Sequence, residues 1–210
     1  MNNLILDCSY GMNVYVVKDD NVFSYEDKSQ NKHSDEILKI IDSLLESAKI
    51  SIHEIDNIGV CVGPGSFTGV RVAVSIAKGL ATGSGARVFA LSNFDIFETN
   101  ENNYVLILDG FSNLVYARKC VNGEINDSCV EIEKLVKEIN DKKFIVYHTT
   151  EKTQNLLEKY KIYSIISKNI IVSAFNQKIN KHENVALNQI YPVYLRASQA
   201  EIEREKKKNG

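Results

Sequence analysis

The sequence predicts an α/β protein of two related lobes, on three observations. The tetrapeptide Leu4-Ile5-Leu6-Asp7 recurs as Leu106-Ile107-Leu108-Asp109, each copy followed by a second apolar run. An apolar run, Ile58–Val62, stops at a glycine-rich segment, and a new apolar run begins at Val70, which reads as strand, tight loop, helix. Ile37, Ile40, Ile41, Leu44, Leu45 and Ala48 fall on one continuous helical stripe.

Each element follows from local pattern. Leu4–Asp7, Val14–Val17 and Val22–Tyr25 are short β-like runs parted by Gly11 and by Asp19-Asp20-Asn21, the signature of a three-stranded meander. The striped helix opens at Ser34, an N-cap type, with Asp35 and Glu36 at the positive end of its dipole. Ser51-x-x-Glu54 is a capping box that starts a short turn before the strand at Ile58–Val62. The helix from Val70 is apolar nearly all round, broken only by Arg71, Ser75 and Lys78. That composition predicts burial on every side, and its small residues suit the close approach of another helix. Val88–Leu91 reads as a strand, and Ser92-x-x-Asp95 as the cap of one more short helix. The second lobe continues with Val115-Tyr116, a turn at Asn122-Gly123, helix Ile132–Ile139, strand Phe144–Tyr147, helix Glu151–Lys161 and a final helix near Ser173–Lys181. The polar run Thr99–Asn103 marks the junction. The expected organisation is therefore 1–100, 101–198 and a charged tail, 199–210.

Composition limits the function classes. With 44% hydrophobic and 25% charged residues, 210 residues can bury a sizeable core. A net charge of −2 argues against a protein that grips nucleic acid unaided, since phosphate neutralisation needs a basic stripe. The one dense basic cluster, Lys206-Lys207-Lys208, reads as a solvated tail. Cys8, Cys61, Cys120 and Cys129 form no CxxC pair, and Cys8 and Cys61 sit in strand patterns as small hydrophobes. His33, His53, His148 and His182 give no pair four apart for a metal. No basic-then-apolar leader opens the chain and no apolar run reaches about 18 residues. The expectation is a cytoplasmic chain without a membrane segment.

The glycine segment Gly63-Pro64-Gly65-Ser66-Phe67-Thr68-Gly69-Val70-Arg71 fails the familiar templates. A Walker loop needs lysine after its last glycine, where Val70 stands. A dinucleotide fingerprint needs glycine where Thr68 stands, and a nucleophile elbow around Ser66 needs glycines at both Pro64 and Thr68.

The same segment resembles the bacterial TsaB (YeaZ) family, which commonly reads GPGSFTGLR here. The resemblance continues through Ser75, Ala77–Ala81 and Ser92. It is joined by Leu6-Asp7-Cys8-Ser9 (family LDTS), His33–Leu38 (HSE-x-L) and Pro192–Arg196 (PLYLR), in family order over nearly the whole chain. Cys8 replaces the family's threonine. Asp109–Ala117 keeps the frame of DAR-x-x-EVYA without its arginine and glutamate. The resemblance implies a two-lobed, duplicated ribonuclease H-like fold of the actin-like ATPase class. It also implies a non-catalytic subunit that dimerises with TsaD. With TsaE, such subunits support threonylcarbamoyl transfer to the adenosine beside the anticodon of tRNAs reading codons that begin with A, and tRNA is met only through the complex. No cofactor is required of the chain itself, and ATP or ADP at a subunit interface is compatible with this reading. A homodimer where TsaD is absent is also compatible with this reading.

The candidate partner-binding residues are Ile37, Ile41 and Leu45 on the first helix. In the loop and second helix they are Gly63, Pro64, Gly65, Ser66, Phe67, Thr68, Gly69, Arg71, Val74, Ala77 and Lys78. For Ser66 and Thr68 helix capping is preferred to catalysis, and no catalytic residue is assigned. Asp7 and Asp109 are candidate nucleotide–metal ligands, with turn capping the preferred reading. The competing classes are a small actin-like nucleotide-dependent enzyme, such as a kinase, and a self-associating homodimer without a TsaD role.

Overall fold

A computed structural model describes residues 1–27, 35–99, 101–142 and 144–195. Two compact units emerge: Met1–Ile96 with Ile171–Val193, and Phe97–Ile170 together with Tyr194 and Leu195. The first division of the chain falls between Ile96 and Phe97. The final helix and its extension differ from the sequence reading, because they return to the first unit rather than completing the second. The expected Ser34 cap and the tail from residue 199 lie outside the described residues.

In the first unit, β1 (Asn2–Asp7), β2 (Met12–Lys18) and β3 (Asn21–Asp27) form the predicted meander. Helix α1 (Asp35–Ala48) leads to a capped turn in which the Ser51 N–H donates to Glu54 Oε2 at 2.8 Å. Strand β4 (Asn57–Cys61), α2 (Phe67–Ser84) and β5 (Arg87–Leu91) follow. The sheet order is β3-β2-β1-β4-β5, with β1, β4 and β5 parallel.

One face of this sheet presents Leu4, Leu6, Val14, Val16, Ile58, Val60 and Val88 to α1 and α2. Ile37, Ile41 and Leu45 are 2%, 1% and 5% exposed within that core. The striped face of α1 is therefore consumed by its own sheet, and these three residues leave the set of partner contacts. The other face receives α5 (Ile171–Asn180). Phe175 meets Phe89 edge-on at 5.6 Å between ring centroids, and a Cβ at Gly59 would come within 2.7 Å of the Phe175 ring. Gly59 is the hole that Phe175 fills.

The second unit repeats the plan. Strands β6 (Tyr104–Asp109), β7 (Leu114–Val121) and β8 (Glu124–Glu131), helix α3 (Ile132–Lys142), β9 (Ile145–His148), α4 (Glu151–Lys159) and the two-residue β10 (Ile165–Ile166) build a sheet of order β10-β9-β6-β7-β8. β6 pairs antiparallel with β7 and parallel with β9, as β1 does with β2 and β4. The repeated tetrapeptide thus marks the central strand of each sheet. This duplicated order is the actin-like fold. Val105, Ile107, Val146 and Leu157 anchor the core beneath α3 and α4. The expected helix after Ser92 is instead a turn, in which the Asp95 N–H donates to Ser92 O at 2.9 Å.

Candidate partner-docking face

The glycine loop is held from three directions. Val62 O accepts from the Val193 N–H (2.7 Å), Gly63 O from the Asn93 N–H (2.9 Å) and Pro64 O from Asn93 Nδ2 (2.5 Å). The Ser66 N–H donates to Ser9 O at 2.9 Å. Two glycines allow this approach. A Cβ at Gly65 would lie 2.7 Å from the Ser9 Cβ, and one at Gly69 would lie 1.9 Å from the Cys8 carbonyl oxygen. Gly63 sits at φ 101°, a left-handed conformation that favours glycine. Ser66 caps α2, its Oγ accepting from the Gly69 N–H at 3.2 Å, so the capping reading holds. The loop is a joint between the β1–β2 turn and the start of α2.

Asp7 serves its own turn, as expected, whereas Asp109 is held instead by the start of α4. Asp7 is buried; its Oδ1 accepts from the Ser9 N–H (3.0 Å) and hydroxyl, and its Oδ2 from Asn13 Nδ2 (3.4 Å). Asp109 Oδ1 accepts from the hydroxyls of Thr150 (2.8 Å) and Thr153 at the start of α4, and Lys152 Nζ stands 4.0 Å from its Oδ2. Burial and, second, the Asp7 carboxylate push the Cys8 thiol up to about 12, so it stays protonated. Among the described residues, no group of three His, Cys, Asp or Glu side chains is placed to hold a metal.

Among the described residues, none covers the face of α2 turned away from the sheet. Val70, Ala73, Val74, Ala77 and Ala81 point into the core, whereas Thr68, Arg71, Ser75, Gly79, Thr82 and Gly83 are exposed. Val72, Ile76 and Leu80 flank them half-buried. The expectation of burial on every side is corrected. The apolar Val72, Ile76 and Leu80 are only half-buried, and of the exposed residues only Gly79 and Gly83 lack a polar side chain. Among the described residues, nothing lies within 4 Å of a would-be Cβ at Gly79 or Gly83. Glycine costs a helix interior about 1 kcal/mol relative to alanine, and no described residue requires Gly79. The cations on this helix are Arg71, whose guanidinium lies 5.6 Å from the Phe67 ring centroid, and Lys78, whose Nζ lies 4.8 Å from that of Tyr191. The helix carries no Asp or Glu.

With this geometry in place, the comparisons with known proteins decide the family. The family model described as "TsaD: tRNA N6-adenosine threonylcarbamoyltransferase" matches residues 26–143, more than half of the chain. The TsaB protein of Haemophilus influenzae, a "tRNA threonylcarbamoyladenosine biosynthesis protein", is 35% identical over 103 residues. The chain belongs to the TsaB (YeaZ) family. The Haemophilus match covers 46% of this chain and 44% of that protein, so the chain spans less than half the length of this relative. The TsaB protein of Buchnera aphidicola from Acyrthosiphon pisum is 24% identical over 78% of this chain and 75% of its own. YeaZ from Pseudomonas aeruginosa superposes with a TM-score of 0.73 at 21% identity, covering 92% of this chain and 99% of that one, which shows the shared fold.

Of the residues singled out from the family motif, Ser66, Thr68 and Arg71 are exposed together at the start of α2, and Phe67, Gly69 and Lys78 lie half-buried beside them. Gly63 and Pro64 are buried as loop framework, and Gly65 packs on Ser9. Val74 and Ala77 are core residues and leave the docking set. Ser75, Gly79, Gly83 and Tyr191 were missed as site residues. Small residues at steps of four along one helix were the available signal for the first three, and nothing local signalled Tyr191.

Proposed function

We propose that this chain is a non-catalytic subunit that docks onto TsaD through the outer face of α2 and the adjoining glycine loop. In that complex, with TsaE, it supports formation of N6-threonylcarbamoyladenosine beside the anticodon of tRNAs reading codons that begin with A. The observation that carries the reading is Gly79. Among the described residues nothing makes use of its missing side chain, and a helix held at close backbone distance by a second subunit would give it one. Lys78, with no carboxylate paired to it among the described residues, fits a partner that offers carboxylates. tRNA is met through the complex, in keeping with the net charge of −2.

The hydrogen-bonded state of Asp7 and Asp109 disfavours the kinase-like alternative, because both carboxylates already accept hydrogen bonds from their own units. ATP or ADP, where present, is assigned to a subunit interface rather than to this chain alone. No described helix is long and apolar enough to cross a membrane, and we assign the complex to the cytoplasm. A second copy of this chain is the alternative occupant of the α2 face, since a stripe of small residues is self-complementary about a two-fold axis.

The test mixes the purified chain with TsaD and TsaE from the same cell. Size-exclusion chromatography with light scattering reads the stoichiometry, and tRNA modification reads the activity. The expected result is a stoichiometric complex with TsaD, no transferase or phosphotransferase activity of the chain alone, and loss of the complex in a folded Gly79→Arg variant. Self-association without TsaD binding would assign the face to a homodimer. A Gly79→Arg variant that binds TsaD normally would remove the α2 face from the account.

A further inference from the structure

The chain's last described segment lies against the proposed docking face, and its construction is that of a presenter. Ile190 is buried in the first unit's core, and the next residue, Tyr191, is 63% exposed. Two residues on, the Val193 N–H is bonded to Val62 O at 2.7 Å while its side chain remains 45% exposed. Gly63 admits this strap, since a Cβ there would lie 3.0 Å from the Val193 carbonyl oxygen. Between an anchored core residue and a backbone bond to the glycine loop, the Tyr191 ring is held on a short, fixed segment. Its face lies 4.8 Å from Lys78 Nζ, and among the described residues no carboxylate pairs with that ammonium.

We propose that Tyr191 and Lys78 form a cation–π unit that extends the docking face beyond α2 and acts as a specificity-determining contact for TsaD, the inference resting on the docking reading above. Tyrosine offers a large contact area at small entropic cost, and its ring leaves the ammonium's outer side for a carboxylate of the partner. The occupant is thus a TsaD surface bearing an acidic side chain next to an apolar one. Phe67 beneath Arg71 repeats the same pairing one end along the helix, at 5.6 Å.

The experiment measures the dissociation constant for TsaD of the same cell by titration calorimetry, for wild type, Tyr191→Ala, Tyr191→Phe, Lys78→Gln and Gly79→Arg, with thermal unfolding of each chain alone. Tyr191→Ala is expected to weaken binding about tenfold or more, Tyr191→Phe to bind as wild type, and Lys78→Gln to bind more weakly with a shallower salt dependence. Unfolding temperatures of the Tyr191 variants are expected to stay unchanged, because the side chain is mostly exposed. A loss of less than about threefold for Tyr191→Ala, with binding abolished in Gly79→Arg, would overturn the strap's role and leave the docking reading standing. Unchanged binding in both variants, or no binding by wild type, would overturn both. If Tyr191→Ala lowers the unfolding temperature, Lys78→Gln decides: full-affinity binding by it overturns the cation–π unit.

Discussion

Replacing Gly79 with alanine separates what this helix needs for itself from what it offers to another protein. A Cβ at this position meets no atom within 4 Å, so the substitution adds no clash and buries no new surface in the isolated chain. What remains is the helix propensity difference, about 1 kcal/mol in favour of alanine. For a chain of this size that corresponds to a rise of roughly 2–4 °C in unfolding temperature. The opposite sign is expected for the complex. A methyl group inserted between closely packed helices costs about 1–3 kcal/mol, which weakens TsaD binding roughly fivefold or more. Differential scanning calorimetry of the free chain and titration of TsaD read the two effects on one variant. A destabilised free chain would show that Gly79 serves this fold after all. A stabilised chain that binds with undiminished affinity would show that no backbone approaches there.

Three further substitutions probe the loop and the second unit. Gly69→Ala directs a Cβ to 1.9 Å from the Cys8 carbonyl oxygen, a backbone atom; a loss on the order of 3 kcal/mol or more is expected, measured by urea unfolding. Asn93→Ala leaves the Pro64 carbonyl without its side-chain donor in a buried setting, at a cost of about 1–3 kcal/mol, and its unfolding midpoint checks this. His148 is buried with neither ring nitrogen hydrogen-bonded among the described residues, and burial holds its pKa below the ordinary 6.5 against the opposing pull of Glu158. The unfolded state therefore binds a proton that the folded state excludes. This unit's stability is full above the ordinary histidine value and declines as pH falls through it, by at most about 1.4 kcal/mol per pH unit from this group. His148→Leu is expected to flatten that part of the acid slope in pH-dependent unfolding curves, and an unaltered slope would refute the assignment.

Much of this architecture was legible in the residues. The repeated Leu-Ile-Leu-Asp located both central strands, because a fully buried strand flanked on two sides selects the same apolar run in each copy. The stripe from Ile37 to Ala48 located α1 and also assigned its face, although its partner proved to be the chain's own sheet. The helix from Val70 misled for a physical reason. Hydrophobicity counts Gly79 and Ala77 alike as apolar, whereas a glycine in the open and an alanine in the core have opposite meanings. The return of α5 could not be read, since Gly59 and Phe175 are far apart in sequence and their fit is a matter of shape. Asn93 was hidden similarly: Ser92-x-x-Asp95 has the spacing of a helix cap, but the Asn93 donors turn back to the carbonyls of Gly63 and Pro64 instead. At the candidate face, the motif marked the loop as a whole, and only solvent exposure separated Ser66, Thr68 and Arg71 from the core residues beside them.

The account turns on where a second subunit settles, and hydrogen–deuterium exchange of this chain with and without TsaD reads that location directly. The prediction is slowed exchange confined mainly to the glycine loop, the segment Phe67–Ser84 and the strap at Tyr191–Val193. Protection that spares these segments and appears instead on the second unit, at the β8 edge or around β10, would contradict it.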